Sequence, residues 1–115
     1  MQKICFMSYR VKIIPKFDKE LKRLAKKYPS LKNEFFELIQ ALKQQPLQGT
    51  SIGNNCYKIR LAIASKGKGK SGGARVITYL QITDTTVFLL SIYDKSELEN
   101  IPDKELAELL KYIPE

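Results

Sequence analysis

Thr86-Val87-Phe88-Leu89-Leu90-Ser91-Ile92-Tyr93 is a nearly continuous apolar and β-branched run. A run of this kind reads as a central strand covered on both faces, because a sheet with one wet face alternates apolar and polar residues. The rest of the chain must then supply strands beside it and helices to cover it.

Both are legible upstream. Ser8 to Ile14 alternates apolar Tyr9, Val11 and Ile13 with polar residues until Pro15 ends the pattern. Phe17, Leu21, Leu24, Ala25 and Tyr28 then recur at helical spacing, with Lys19, Lys22, Arg23, Lys26 and Lys27 on the remaining surface. Pro29-Ser30 breaks that helix, and Leu31, Phe35, Leu38, Ile39 and Leu42 form a second stripe before Pro46. The pair reads as a helical hairpin laid on a sheet. After a polar loop from Gln48 to Asn55, Cys56 to Ala64 alternates again: Tyr57, Ile59, Leu61 and Ile63 point one way, Lys58 and Arg60 the other. Two cations at i and i+2 on one strand face lie about 7 Å apart and make a phosphate-sized clamp. Arg75 to Ile82 reads as the next strand, and Pro102 opens a helix whose Leu106, Leu109, Leu110 and Ile113 pack inward. The predicted order is β-α-α-β-β-β-α, an α+β domain with a helical hairpin on a four-stranded sheet. At 115 residues and 43% hydrophobic content the chain is sized for one core.

Between the second and third strands lies Lys66-Gly67-Lys68-Gly69-Lys70-Ser71-Gly72-Gly73-Ala74-Arg75, four lysine or arginine side chains on a glycine-rich loop. Glycine permits close backbone approach, and lysine supplies point charges for phosphate. Two nucleotide motifs nearly fit and both fail. Gly69-Lys70-Ser71 ends like a Walker A loop, but the position of its first glycine is Ala64. Gly67, Gly69 and Gly72 spell G-x-G-x-x-G, yet a strand follows where that fingerprint opens a helix. No nucleotide cofactor is expected. As a hairpin connection, the loop instead brings Arg75 back beside Lys58 and Arg60.

Charge distribution points the same way. The formal net charge is +8, and residues 38–83 hold seven cations and no acid, whereas residues 84–115 hold three cations and eight acids. A 46-residue stretch without a carboxylate is the footprint of a polyanion surface, nucleic acid above all. No apolar run approaches the ~20 residues that span a bilayer. Cys5 and Cys56 have no metal-ligand spacing, and the chain contains no histidine, so no metal site and a reduced, cytoplasmic protein are expected. Residues 1–7 read as a leader outside a single domain spanning 8–115, with Met7 an alternative start.

Three segments in order, Tyr57-Lys58-Ile59-Arg60, Ser71-Gly72-Gly73-Ala74-Arg75-Val76-Ile77-Thr78-Tyr79 and Leu90-Ser91-Ile92-Tyr93-Asp94-Lys95-Ser96-Glu97, resemble the RelE/HigB branch of the RelE/ParE toxin superfamily. The resemblance spans about residues 8–112. It implies a mostly antiparallel sheet and a toxin of a type II toxin–antitoxin system, a ribosome-dependent endoribonuclease that cleaves translated mRNA without a metal. It also implies a cognate antitoxin, with the ribosome and mRNA as further partners. Carried over by position, the family's basic pair falls on Lys58 and Arg60, its phosphate-binding arginine on Arg75, and a further basic residue on Lys95. The C-terminal catalytic tyrosine of RelE has no aligned match, and Tyr93 is the nearest substitute. On this reading Arg75 stabilises a phosphorane, Lys58 or Lys95 assists proton transfer, and Arg60 positions the backbone, with Asp94 and Glu97 as alternative proton-transfer groups. Lys66, Lys68 and Lys70 on the loop, and Lys22, Arg23, Lys26 and Lys27 on the first helix, are expected RNA or ribosome contacts, although the helix cations read more simply as a solvated face. A ParE-like inhibitor of DNA gyrase and a non-catalytic RNA-binding module are the alternatives.

Overall fold

The computed structural model describes residues 9–67, 69 and 72–114. Strand β1 (Arg10–Ile13) leads into α1 (Pro15–Lys27), which starts on Pro15 because proline's fixed φ and missing N–H suit a first helical turn. Helix α2 (Leu31–Gln44) returns alongside it, and the rings of Phe17 and Phe35 meet at 5.6 Å between the two. Then follow β2 (Thr50–Gly53), β3 (Cys56–Leu61), β4 (Ala74–Gln81), β5 (Thr86–Asp94) and α3 (Asp103–Leu110). The strands form one mixed sheet in the order β1-β5-β4-β3-β2, with β1 parallel to β5 and the other pairs antiparallel.

Every residue of β5 is buried, as its unbroken apolar sequence demands. Strand β1 pairs only with Thr86 to Leu89, and α1 packs on β5 as well. Register separates the two faces of the sheet. Ile59, Val76 and Ile92 lie directly opposite one another across three strands on the face of the helical hairpin, the side on which the Tyr28 hydroxyl at the end of α1 reaches Asp94 of β5. Arg60, Arg75 and Tyr93 form the adjoining row, on the opposite face. On that face Leu106 and Leu109 of α3 are buried, and Ile101 and Leu106 come against Ile52 and Lys58.

The sheet has five strands where four were expected. The additional strand, β2, lies in the segment read as a polar loop. It is a mostly exposed edge whose only large apolar residue is Ile52, so it carries no hydrophobic alternation. Its turn was nevertheless written in the chain: Asn54 and Asn55 both adopt positive φ, 54° and 62°, the conformation that two-residue hairpins favour. Ile13 is another departure, 41% exposed, while Ile14 takes the buried place at the end of β1. Cys56 is buried, and desolvation pushes its thiol up to about 11. Cys5, and the expected leader, lie outside the described residues.

Candidate phosphate-binding cleft

The glycine-rich connection determines where the cations fall. After β3 the chain makes a short 3₁₀ turn, Ala64–Lys66, closed by Gly67 in the left-handed conformation at φ 74°. It re-enters the sheet at Gly73, where a β-carbon would stand 2.1 Å from the Leu61 carbonyl oxygen, so only glycine lets the two strand ends come this close. From that point the register sets Arg75 directly across from Arg60, and Tyr93 across from Arg75.

Thr50, Lys58, Arg60, Arg75, Lys95, Glu99 and Asn100 line one cleft of about 290 Å³. Four cations from three stretches of chain thus converge on a space suited to a phosphate group. Arginines directly opposite one another repel, so this row favours an anion above it. Arg75 is 4% exposed, and its Nη1 donates to the Ala74 carbonyl at 3.2 Å, which fixes the guanidinium at the cleft wall. Arg60 is exposed, whereas Lys58 and Lys95 are half-buried. Lys58 Nζ donates to Asn100 Oδ1 at 2.8 Å, and Lys95 Nζ lies 3.9 Å from Glu99 Oε2. Among the described residues no cluster of metal-ligating side chains forms.

Several expected site residues lie elsewhere. Tyr93 shares the row of Arg75 but is enclosed, because the chain around Ile101 covers this end of β5. Among the described residues its hydroxyl finds no hydrogen-bond partner. Burial raises its pKa, opposed by the nearby Ile101 backbone N–H and the charge of Arg75. The Tyr93 ring is thus walled off from the cleft that Arg75 lines. Asp94 points to the other face and is fully buried. It accepts hydrogen bonds from Tyr28 at 2.6 Å, from the Ser96 backbone N–H at 2.9 Å and hydroxyl at 2.7 Å, and from Lys66. Burial alone would raise its pKa, but these donors outweigh it and hold the carboxyl well below the usual carboxylate range. Its carboxylate is thus engaged by these donors on the face opposite the cleft.

Lys66, expected as an RNA contact, is turned inward by the 3₁₀ turn; besides Asp94 it donates to the Gly72 carbonyl at 2.9 Å and so ties that turn to the start of β4. Lys68 and Lys70 lie outside the described residues. On α1, Lys22 pairs with Asp18 at 3.0 Å, and Arg23 and Lys27 reach Glu97 at 2.9 and 3.8 Å. Hydrogen bonding to Arg23 holds Glu97 below its ordinary value, so Glu97 too has a settled partner away from the cleft. Lys26 is exposed. These four side chains belong to α1, on the other side of the sheet from the cleft, and none of them lines it. Thr50, Glu99 and Asn100 are cleft residues that sequence patterning did not mark, the first because β2 was read as loop, the others because they lie on an irregular connection.

The profile described as RelE toxin of RelE / RelB toxin-antitoxin system matches residues 14–113. The chain belongs to the RelE toxin family. Among solved structures, Escherichia coli toxin RelE, a double arginine-to-alanine variant in the free state, is 19% identical, with a TM-score of 0.55 over 94% of this chain and 100% of that one. RelE from the Pyrococcus horikoshii RelE–RelB complex is 24% identical, with a TM-score of 0.51 over 80% of this chain and 100% of that one. The Mycobacterium tuberculosis toxin–antitoxin complex RelBE2 gives 17% identity and a TM-score of 0.54 over 77% and 93%. At such identities the likeness establishes the α+β fold; membership of the RelE family rests on the profile.

Proposed function

We propose that this RelE-family toxin is a ribosome-dependent endoribonuclease that cuts mRNA during translation. The observation that carries the reading is the convergence of Lys58, Arg60, Arg75 and Lys95 on one cleft. RNA contains its own nucleophile, so cleavage needs the 2′-hydroxyl brought in line with the adjacent phosphorus, a proton acceptor, a proton donor for the departing 5′-oxygen, and cations on the phosphorane. Arg75 and Arg60, side by side, suit the two non-bridging oxygens, since arginine binds phosphate through paired donors. Lys58 and Lys95 flank them and are the groups for proton transfer. Tyr93, enclosed, supports the row from beneath.

A site with neither histidine nor an unpaired buried carboxylate is a weak catalyst by itself, and a substrate held in geometry by the ribosome compensates for that. Lys22, Arg23, Lys26 and Lys27 are then the surface for ribosomal RNA, their exposed ion pairs weak enough to exchange for phosphate. Restraint of the toxin calls for a cognate antitoxin with an acidic or amphipathic segment that covers the basic face; the Mycobacterium relative was solved as a toxin–antitoxin complex and the Pyrococcus relative as a RelE–RelB complex. The substrate sets the cytoplasm as the working compartment, and among the described residues no helix is long and apolar enough to cross a membrane.

Mapping mRNA 5′ ends after induced expression tests this reading. New ends confined to translated frames are expected, and they vanish for an mRNA whose start codon is removed. Intact mRNA together with a DNA-damage response would identify a gyrase inhibitor instead.

A further inference from the structure

A lysine on a strand has four rotatable side-chain bonds, and its ammonium serves catalysis only when something holds it in one place. Lys66 and Lys58 illustrate two ways of doing so. Lys66 is held by a carboxylate, Asp94, which neutralises it and withdraws it from solvent. Lys58 is held at 2.8 Å by the amide oxygen of Asn100, a neutral acceptor. An ammonium has three donors. Asn100 takes one, leaving two protons and the full charge for a substrate.

The placement around this contact is specific. Lys58 and Asn100 both line the basic cleft and also an adjoining pocket of about 210 Å³ with Ile52, Ile101, Asp103 and Leu106, so they form the wall between the two. The connection that carries Asn100 is itself tied down. The backbone N–H groups of Glu97 and Leu98 donate to the Asp94 carbonyl at 2.9 and 3.1 Å. Leu98 and Ile101 pack against the core, and Pro102 follows at once. Asn100 is thus presented by an anchored strap rather than a free loop, as a supporting residue must be to fix a reacting group.

We propose that Asn100 is a positioning residue that sets the Lys58 ammonium at the cleft for RNA cleavage. The inference rests on the ribonuclease reading above. It is tested by single-turnover cleavage on mRNA-programmed ribosomes with wild type, Asn100→Ala, Lys58→Ala and the double variant, each with melting temperature matched to wild type. Asn100→Ala lowers the cleavage rate at saturating ribosome complex about tenfold, the scale of a hydrogen bond to a charged group, with little change in half-saturation. In the Lys58→Ala background the same substitution costs less than about twofold, because the residue it acts through is gone. An equal loss in both backgrounds, or no loss in the first, overturns the proposal. NMR of the Lys58 ammonium reports the contact without any cleavage: it is expected to be ordered in wild type and mobile in Asn100→Ala, and an unchanged signal also overturns positioning. A wild-type protein that leaves ribosome-bound mRNA uncut while Lys58 responds in this way sinks the ribonuclease reading alone.

Discussion

Asp94 shows how far one buried carboxylate reaches. It joins Tyr28 at the end of α1, Lys66 on the glycine loop and Ser96 after β5. Asp94→Asn leaves Lys66 without its counter-charge in a site where its side chain is 12% exposed, and the expected loss is about 3 kcal/mol in denaturant unfolding. Because the folded pKa is depressed, Asp94 contributes its full stabilisation above the unfolded carboxyl value of about 4, and loses it as pH falls below that. Wild type is therefore expected to unfold steeply with acid below about pH 4, and Asp94→Asn to show a flatter dependence. Arg60 behaves oppositely. It faces Arg75 across the ladder, so Arg60→Gln is expected to raise stability by up to about 1 kcal/mol while lowering RNA cleavage. Equal loss of both properties would mean that the arginine pair is a structural feature and not a substrate site.

The elements that bring these residues together were readable to different degrees. Pro15, Pro29-Ser30 and the stripes of Phe17, Leu24, Leu31, Leu38 and Leu42 announced the helical hairpin, because a face buried against a sheet must be apolar at helical spacing. The alternation around Lys58 and Arg60, with a hairpin loop leading to Arg75, announced the row of cations. Strand β2 was not announced, since an exposed edge needs no apolar face and only the Asn54-Asn55 turn marked it. Nor were Glu99 and Asn100, whose connection has no period; the burial of Tyr93 and Lys66 depended on that same covering segment and on contacts distant in sequence. The loop itself is testable through Gly73. Gly73→Ala drives a methyl into the Leu61 carbonyl, and a cost of about 1–3 kcal/mol is expected, with cleavage falling as Arg75 shifts. A substitution without thermal consequence would contradict the close approach of β3 and β4. Glu99 sits in the cleft 3.9 Å from Lys95 and is largely exposed, so Glu99→Gln is expected to tighten RNA binding only about twofold at low salt.

At the scale of the whole molecule, the acid-free stretch 38–83 and the acid-rich segment 84–115 do not form two separate fields. Folding threads β5 and the strap between basic elements, so that Asp94 and Glu97 neutralise Lys66 and Arg23, while Lys58, Arg60, Arg75 and Lys95 are left gathered on one cleft. Glu99 of the same segment enters the cleft beside Lys95, so four cations there face one carboxylate. Binding to RNA or to ribosomes is accordingly expected to weaken steeply with salt, and the slope of log affinity against log salt to shrink by roughly one when a phosphate-contacting cation is removed. Whether this cleft cuts RNA on the ribosome is decided by cleavage of mRNA on programmed ribosomes by wild type and by a folded Arg75→Ala variant. Cleavage by wild type is expected only in the presence of ribosomes, with a rate at least about a hundredfold lower for the variant, the scale of losing one preorganised transition-state donor. Cleavage by Arg75→Ala at the wild-type rate would contradict that role for the cleft.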